Sequence, residues 1–198
     1  MGTILHIAID GEYAGHIVVS DKIKEDAADA VNALKAEGVK RLVMLTGDKE
    51  EVAVDVAKTV GLAEYHAELL PGDKVSQVET ILKENAEGTM AFVGDGINDA
   101  PVLARADVGI AMGGLGSDAA IEAADVVLMD DKPSKIAVAI RQARRTLRIA
   151  RENTWFAVGI KIAVLILAFF GLATMWMAVF ADVGVTVLAV LNAARTLK

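Results

Sequence analysis

The 198-residue chain contains no cysteine. Disulfide frameworks, thiolate zinc sites and cysteine-held iron–sulfur clusters are therefore excluded. Histidine is almost as scarce: His6, His16 and His66 are scattered along the chain, which argues against a histidine metal cluster. There is no basic excess either. Lys and Arg total 20 against 27 Asp and Glu, for a net charge of −7, and that balance opposes sequence-independent nucleic-acid binding. Met1–Asp10 has neither a basic start nor a long apolar run, so no secretory signal is read there. No internal repeat or low-complexity linker is present. Hydrophobic residues, by contrast, make up 54% of the chain, which excludes an intrinsically disordered one.

The charges are unevenly placed. Positions 153–198 hold Lys161, Asp182, Arg195 and Lys198, and every other charged residue lies before them. The chain thus reads as an acidic soluble domain joined to an apolar tail. Within the tail, Thr154–Leu172 contains the single charge Lys161, and Met175–Ala194 contains Asp182. Each run is long enough to cross ~30 Å of hydrocarbon as a helix. Ala173 and Thr174 alone separate them, which predicts a tight helical hairpin. Arg141, Arg144, Arg145, Arg148 and Arg151 precede the first run, and Arg195 and Lys198 follow the second. The positive-inside rule then puts both flanks in the cytoplasm and the turn outside. Trp155 and Trp176 stand near run ends, where indoles favour the membrane interface. The competing reading is a pair of buried helices in a soluble protein.

Before the tail, strand and helix signals alternate. Ile4–Ile9 and Ala14–Val19 flank Asp10-Gly11-Glu12 and predict a hairpin. Helices are predicted at Ile23–Glu37 (with Ser20 or Asp21 as cap and Gly38 as stop), Glu50–Val60, Pro71–Glu84 and Ser134–Glu152, with a short one after Asp99. Strands are predicted at Arg41–Leu45, Met90–Val93, Val108–Ala111 and Val126–Met129. The alternation implies an α/β fold with a mostly parallel sheet and helices on both faces. Ligands of such sheets sit beyond the carboxyl ends of strands. Thr46-Gly47-Asp48 and Gly94-Asp95-Gly96-Ile97-Asn98-Asp99 both lie at such ends. The second puts two carboxylates and an amide in one turn, a hard-oxygen set suited to Mg²⁺, which would in turn hold a phosphoryl group. Thr46 and Gly47 offer a hydroxyl and an N–H to phosphoryl oxygens, and Lys74 offers a point charge. Each piece also has a structural reading: Asp-Gly turns are common, Lys74 could be a solvated helix residue, and Thr46 could cap the next helix.

Taken together, Met44-Leu45-Thr46-Gly47-Asp48, Leu70-Pro71-Gly72-Asp73-Lys74-Val75 and Val93-Gly94-Asp95-Gly96-Ile97-Asn98-Asp99-Ala100-Pro101 closely resemble the P-type ATPases, and Gly109-Ile110-Ala111-Met112-Gly113 resembles the same domain. These are cation pumps with a haloacid-dehalogenase-like phosphorylation domain. The resemblance implies a fold that is α/β, haloacid-dehalogenase-like (Rossmann-like) and incomplete, followed by an α-helical transmembrane hairpin. Residues 1–20 would end the nucleotide-binding region and form the hinge, 21–140 the carboxy-terminal part of the phosphorylation domain, and 141–198 a linker helix with two membrane helices at about 154–172 and 175–194. Carried over by residue, Asp95 binds Mg²⁺ with Asp99. Asn98 and Asp99 shape the phosphate site, Thr46, Gly47 and Asp48 serve the phosphoryl group, and Lys74 neutralises it. Asp21 matches an acidic position near the hinge.

The family's nucleophile lies in Asp-Lys-Thr-Gly-Thr. Asp-Lys occurs here at Asp21, Asp48, Asp73 and Asp131, never followed by Thr-Gly-Thr. The chain looks like the carboxy-terminal third of a pump, with the ATP site mostly elsewhere, and by itself it is not expected to be catalytic. A missing central strand would leave sheet edges unpaired. Ionisable residues inside membrane spans are functional by default, the alternative being that Lys161 and Asp182 snorkel or pair only to hold the hairpin. Lys161 and Asp182-Val183-Gly184 look like the zinc/cadmium/lead group, in which Asp182 would bind the transported ion and Lys161 would act as its counterion. Met175 and Met177 are read as interface packing rather than copper ligands. The implied protein is an inner-membrane exporter of Zn²⁺, Cd²⁺ or Pb²⁺. Its partners are the divalent ion, the membrane and the remaining pump segments, and its chain ends are cytoplasmic. Two other readings stand beside it: a membrane-anchored phosphatase using Asp10, in a faint Asp-x-Asp-like context, and a non-catalytic partner of an intact pump.

Overall fold

An antiparallel ribbon, β1 (Thr3–Ile9) and β2 (Glu12–Val19), opens the chain. The computed structural model describes residues 3–19, 22–85, 87–94, 97–113 and 118–197. Between the strands, Asp10 and Gly11 take φ of 52° and 86°, the left-handed pair that matches a hairpin's twist. Asp10 therefore sits at the tip of an antiparallel turn and not at the carboxyl end of a parallel strand. That position removes it as the nucleophile of the phosphatase reading. A bulge shifts the ribbon's register between Ile7 and Ala8.

Parallel units follow. Strand β3 (Val43–Leu45) pairs with β4 (Glu64–His66), and β5 (Ala91–Gly94), β6 (Val108–Met112) and β7 (Val126–Leu128) form a second parallel group in that order. The connecting helices are α1 (Ala27–Ala36), α2 (Glu50–Val60), α3 (Pro71–Glu84), α4 (Ala100–Leu103) and α5 (Asp118–Ala123). The predicted single sheet is thus two sheets, because β3 and β5 are not hydrogen-bonded to each other. Parallel strands are normally covered on both faces, yet Val93 on β5 is 38% exposed. An incomplete sheet, with β3 and β5 as bare edges, accounts for both observations.

Helix α1 starts at Ala27, later than the predicted Ile23. Its cap position is Asp26, while the predicted caps Ser20 and Asp21 lie outside the described residues. Gly38, with φ of 81°, ends that stretch as predicted. Strand β4 was not predicted, since Glu-Tyr-His is too short and polar to show alternation. The core is aliphatic, with Val78, Val102, Leu103 and Ala111 almost fully buried. Its packing is close: a methyl group on Gly109 of β6 would lie 2.7 Å from the Leu103 carbonyl oxygen. At the other end of the first sheet, Arg41 donates to both carboxylate oxygens of Glu64 (2.9 and 2.6 Å) and to Glu84 (2.8 Å). This two-pronged hydrogen bond holds the Glu64 carboxyl below its ordinary range.

The chain divides into two units, Met1–Ala137 and Val138–Lys198. Helix α6 (Lys135–Phe169) is one continuous helix of 35 residues. It merges the predicted Ser134–Glu152 helix with the first apolar run, since no Gly or Pro stands at the polar-to-apolar change to break it. It ends before Gly171, which has φ of 72°, so the turn is longer than the predicted two residues. The second run is helical but not uniformly α. After α7 (Met175–Val179), capped by Thr174, come a π-helical turn at Phe180–Gly184 and then α8 (Val185–Ala193). Both Lys135–Phe169 and Met175–Thr196 contain stretches long and apolar enough to cross a membrane, and those stretches are 0% and 11% buried. Buried helices of a soluble core would show the opposite, so that competing reading falls. The arginine-flanked ends of the runs are clamped by amides: Asn153 donates to the Ala189 carbonyl (3.0 Å), and Asn192 donates to Asn153 (2.8 Å).

In the first unit, the Asp26 carboxylate accepts the Ser134 N–H at 3.0 Å. Hydrogen bonding to Ser134 lowers its pKa. A carboxyl with a depressed folded-state pKa stabilises fully above its unfolded value, about 4, and loses that contribution as pH falls through the lower value. Asp26→Asn should therefore lower Tm at pH 7. The gap to the parent should close as pH drops below about 4, as followed by thermal melts across pH.

Candidate functional site

The entrance to α3 organises the carboxyl ends of the strands. Pro71 supplies a preset φ at the first helical position. Asp73 accepts the Leu70 N–H at 3.1 Å, pinning the first turn. Lys74, one residue on, is thereby aimed across to the loop after β5. There its Nζ meets Asp99 Oδ1 at 2.9 Å, with the two side chains only 18% and 14% exposed. A half-buried charged pair of this kind is strongly coupled, and each partner is poorly replaced by a neutral group.

The Thr46–Asp48 loop is tied to the same entrance. Thr46 N–H donates to the His66 carbonyl (2.9 Å), Leu69 N–H to the Thr46 carbonyl (3.0 Å), and Glu68 N–H to the Asp48 carbonyl (2.9 Å). Within the loop, the Thr46 hydroxyl donates to Asp48 Oδ2 (2.8 Å) and accepts the Asp48 N–H (3.1 Å). Thr46 is therefore held by its own loop and does not cap α2, whose cap position is Lys49. Gly47 passes close to the next segment, since a methyl group there would lie 3.2 Å from the Leu69 carbonyl oxygen.

On the β5 side, Gly94 is buried beneath Asp99. A methyl group on it would lie 2.8 Å from Asp99 Cβ and 3.1 Å from Asp99 Oδ2. Glycine here lets the Asp99 carboxylate fold back over the strand end toward Lys74. Asn98 is exposed on the short 3₁₀ turn Ile97–Asp99. Asp95 and Gly96 lie outside the described residues. The structure thus joins Lys74 to Asp99 directly and joins Thr46, Gly47 and Asp48 to the start of α3 through the 66–69 segment. Sequence reasoning did not single out Asp73, Leu69 or Gly94 for these positioning roles. For Asp73 the signal was available, as an acidic third residue of a helix beginning Pro71-Gly72.

In the second unit, Lys161 Nζ lies 3.4 Å from Asp182 Oδ1. The two runs therefore bring together the pair that the sequence singled out. Asp182 belongs to the π-helical turn, and such turns gather at functional sites. Gly184 closes that turn against an aromatic ring, since a methyl group on it would lie 2.5 Å from the Phe180 ring. The pair opens on a groove of about 330 Å³ whose polar lining is Asn153, Lys161, Asp182 and Thr186. Thr186 Oγ1 donates to the Asp182 carbonyl at 2.7 Å.

A profile of the haloacid dehalogenase-like hydrolases matches residues 3–107. The whole chain is 60% identical to 28% of a cadmium, zinc and cobalt-transporting ATPase of Bacillus subtilis (strain 168). It is 59% identical to 27% of a zinc-transporting ATPase of Synechocystis sp. (strain ATCC 27184 / PCC 6803 / Kazusa). The chain thus spans little more than a quarter of these relatives' length. A crystal structure of a zinc-transporting PIB-type ATPase in the E2.Pi state superposes over 100% of this chain and 32% of its own, with TM-score 0.83 and 40% identity. A Moraxella catarrhalis 3-deoxy-D-manno-octulosonate 8-phosphate phosphatase, 18% identical with TM-score 0.52, shares the fold.

The coupling of Lys74 to Asp99 is measurable. Lys74→Met should cost about 1–3 kcal/mol, because it leaves a mostly buried carboxylate without its partner. Adding Asp99→Asn should restore part of that loss, giving a non-additive cycle in denaturant titrations.

Proposed function

Because the chain belongs to the haloacid dehalogenase-like hydrolase family, we propose that it is the carboxy-terminal part of an ATP-driven pump that exports Zn²⁺, Cd²⁺ or Pb²⁺. The observation that carries this reading is its likeness, over its full length, to a zinc-transporting pump of known structure. In this reading residues 1–20 end the nucleotide-binding region and hinge, 21–140 complete the phosphorylation domain, and 141–198 form the linker and last two membrane helices. The protein is integral to the inner membrane, with the soluble domain and both ends of this segment cytoplasmic. The arginines of 141–151 and Arg195 set that orientation.

Phosphoryl transfer is mostly positioning and charge compensation. Lys74 supplies positive charge at the strand ends, and its pairing with Asp99 keeps that charge oriented until an anion competes for it. The Gly47 N–H orients phosphoryl oxygens, and the Thr46 hydroxyl joins it by turning its one proton from Asp48 to the anion. Asp48 holds Thr46 in place through the 2.8 Å bond. Asn98 and Asp99 shape the opposite wall. Among the described residues no three acidic or histidine side chains converge. The hard-oxygen donors Asp99 and Asp95 suit Mg²⁺ by their chemistry, with Asp99 released from Lys74 to take the ion. Bound there, Mg²⁺ would offset the charge on the phosphoryl group. The aspartyl nucleophile and most of the ATP site belong to the remaining pump segments. The division of the parallel strands into two groups, with β3 and β5 not hydrogen-bonded to each other, supports this.

The ion site is the Asp182 carboxylate, a hard-to-borderline ligand for a divalent cation. Lys161, at 3.4 Å, takes over as its counterion once the cation leaves. In the full-length pump, Asp182→Ala should abolish Zn²⁺-stimulated ATPase activity and leave phosphorylation by inorganic phosphate intact. Lys161→Ala should retain bound Zn²⁺ but slow turnover, because the emptied site keeps an uncompensated carboxylate. Measured Zn²⁺ stoichiometry and ATPase rates decide the assignment. Full Zn²⁺ stimulation in Asp182→Ala would overturn it.

A further inference from the structure

The ribbon β1–β2 takes no part in the site above, and it brings together two of the chain's three histidines. His6 and His16 face each other across the strands, with ring centroids 6.2 Å apart. The bulge is the cause. Near the turn, Ala8 faces Tyr13 and Ile9 faces Glu12. Continued unshifted, that register would set His6 opposite Gly15 and His16 opposite Leu5, on the other face. The extra residue shifts the register so that Ile7 faces Gly15 and His6 faces His16. Bulges commonly re-aim side chains in this way. Tyr13 completes the cluster: its hydroxyl lies 3.1 Å from His16 Nδ1, and its ring lies 5.8 Å from that of His6.

The two faces of the ribbon differ. Leu5, Ile7, Ile9 and Ile17 alternate onto one face, while His6, Tyr13 and His16 occupy the other, with all seven side chains exposed. The aliphatic face is the one suited to packing, which leaves the imidazoles toward water. The geometry suits one ion held by both rings. At about 2.0–2.1 Å from each ligating nitrogen, two imidazoles on one ion have centroids roughly 5–6 Å apart across ordinary ligand angles. Small rotations of exposed rings close the remaining gap. With His16 Nδ1–H donating to the Tyr13 hydroxyl, Nε2 keeps its lone pair for the ion, the arrangement in which a metal-bound histidine donates its other N–H.

We propose that His6 and His16 form a two-imidazole site for a divalent transition ion of the zinc–copper class, with Tyr13 orienting His16 and water filling the remaining positions. The site is separate from Asp182 and stands on ribbon geometry alone, whatever the membrane pair transports. Its effect is mechanical. A two-stranded ribbon is marginally stable by itself, and an ion bridging both strands stabilises it by mass action.

Hydrogen exchange of the full chain in detergent, with Zn²⁺ as the probe, tests this. At saturating Zn²⁺, exchange across residues 4–18 should slow by about tenfold or more, corresponding to an ion present at roughly ten times its dissociation constant. The slowing should persist in Asp182→Ala and vanish in His6→Gln and in His16→Gln. These exposed substitutions leave the core untouched. No slowing in the parent chain, slowing retained in the double histidine variant, or slowing lost in Asp182→Ala would each overturn the proposal.

Discussion

The pairing of Lys74 with Asp99 joins the carboxyl ends of two sheets that share no hydrogen bonds with each other. On one side stand β3 and β4 with the loop Thr46–Asp48. On the other stand β5, β6 and β7 with the loop that ends in Asp99. The entrance of α3 meets both, through backbone bonds at Leu69 and through the lysine ammonium. Two opposite charges, each mostly out of solvent, constrain one another more tightly than a surface pair would. In the proposed function, a phosphoryl anion entering between the loops would compete with Asp99 for a lysine already held at the strand ends.

The same economy of groups governs the helical hairpin. A carboxylate and an ammonium inside apolar helices are costly unless they meet. The π-helical turn at Phe180–Gly184 adds one residue to the local repeat and rotates Asp182 relative to the α-helical frame on either side. The absence of a side chain at Gly184 lets the Phe180 ring close on that turn. Farther along the groove, the Asn153–Asn192 bond fixes the two helices against sliding. An amide pair in that setting has few alternative partners, so it specifies register even if it adds little stability.

Much of this was legible in the sequence, for identifiable reasons. Helices such as Glu50–Val60 and Pro71–Glu84 carry their stops and starts in Gly61 and Pro71, and their bounds agree with the structure. The apolar runs announced themselves by length and lack of charge. The loops stood out because glycine, hydroxyl and carboxylate recur at strand ends. What escaped lacks a local signature. Strand β4 is three residues long, and α5 is six. The fusion of two predicted helices into α6 escaped because a change in hydropathy resembles a boundary although the backbone has no reason to break. The closure of Lys74 on Asp99 spans 25 residues, and the meeting of His6 with His16 depends on a bulge whose one trace in the sequence is Gly15, at φ of 152°. Such facts arise from tertiary register, which a single sequence encodes only collectively. Unpaired sheet edges were expected from an absent motif rather than from any residue present, and the division into two sheets was not expected.

The central claim is that one segment couples a phosphate site to a divalent-ion site. Metal-stimulated ATP hydrolysis by the purified full-length pump, compared across Zn²⁺, Cd²⁺, Pb²⁺ and Cu⁺, tests it most directly. A carboxylate site with a lysine counterion and no sulfur ligand in its groove predicts stimulation by the divalent ions and none by Cu⁺. Stimulation by Cu⁺ alone, or hydrolysis indifferent to metal, would contradict the account.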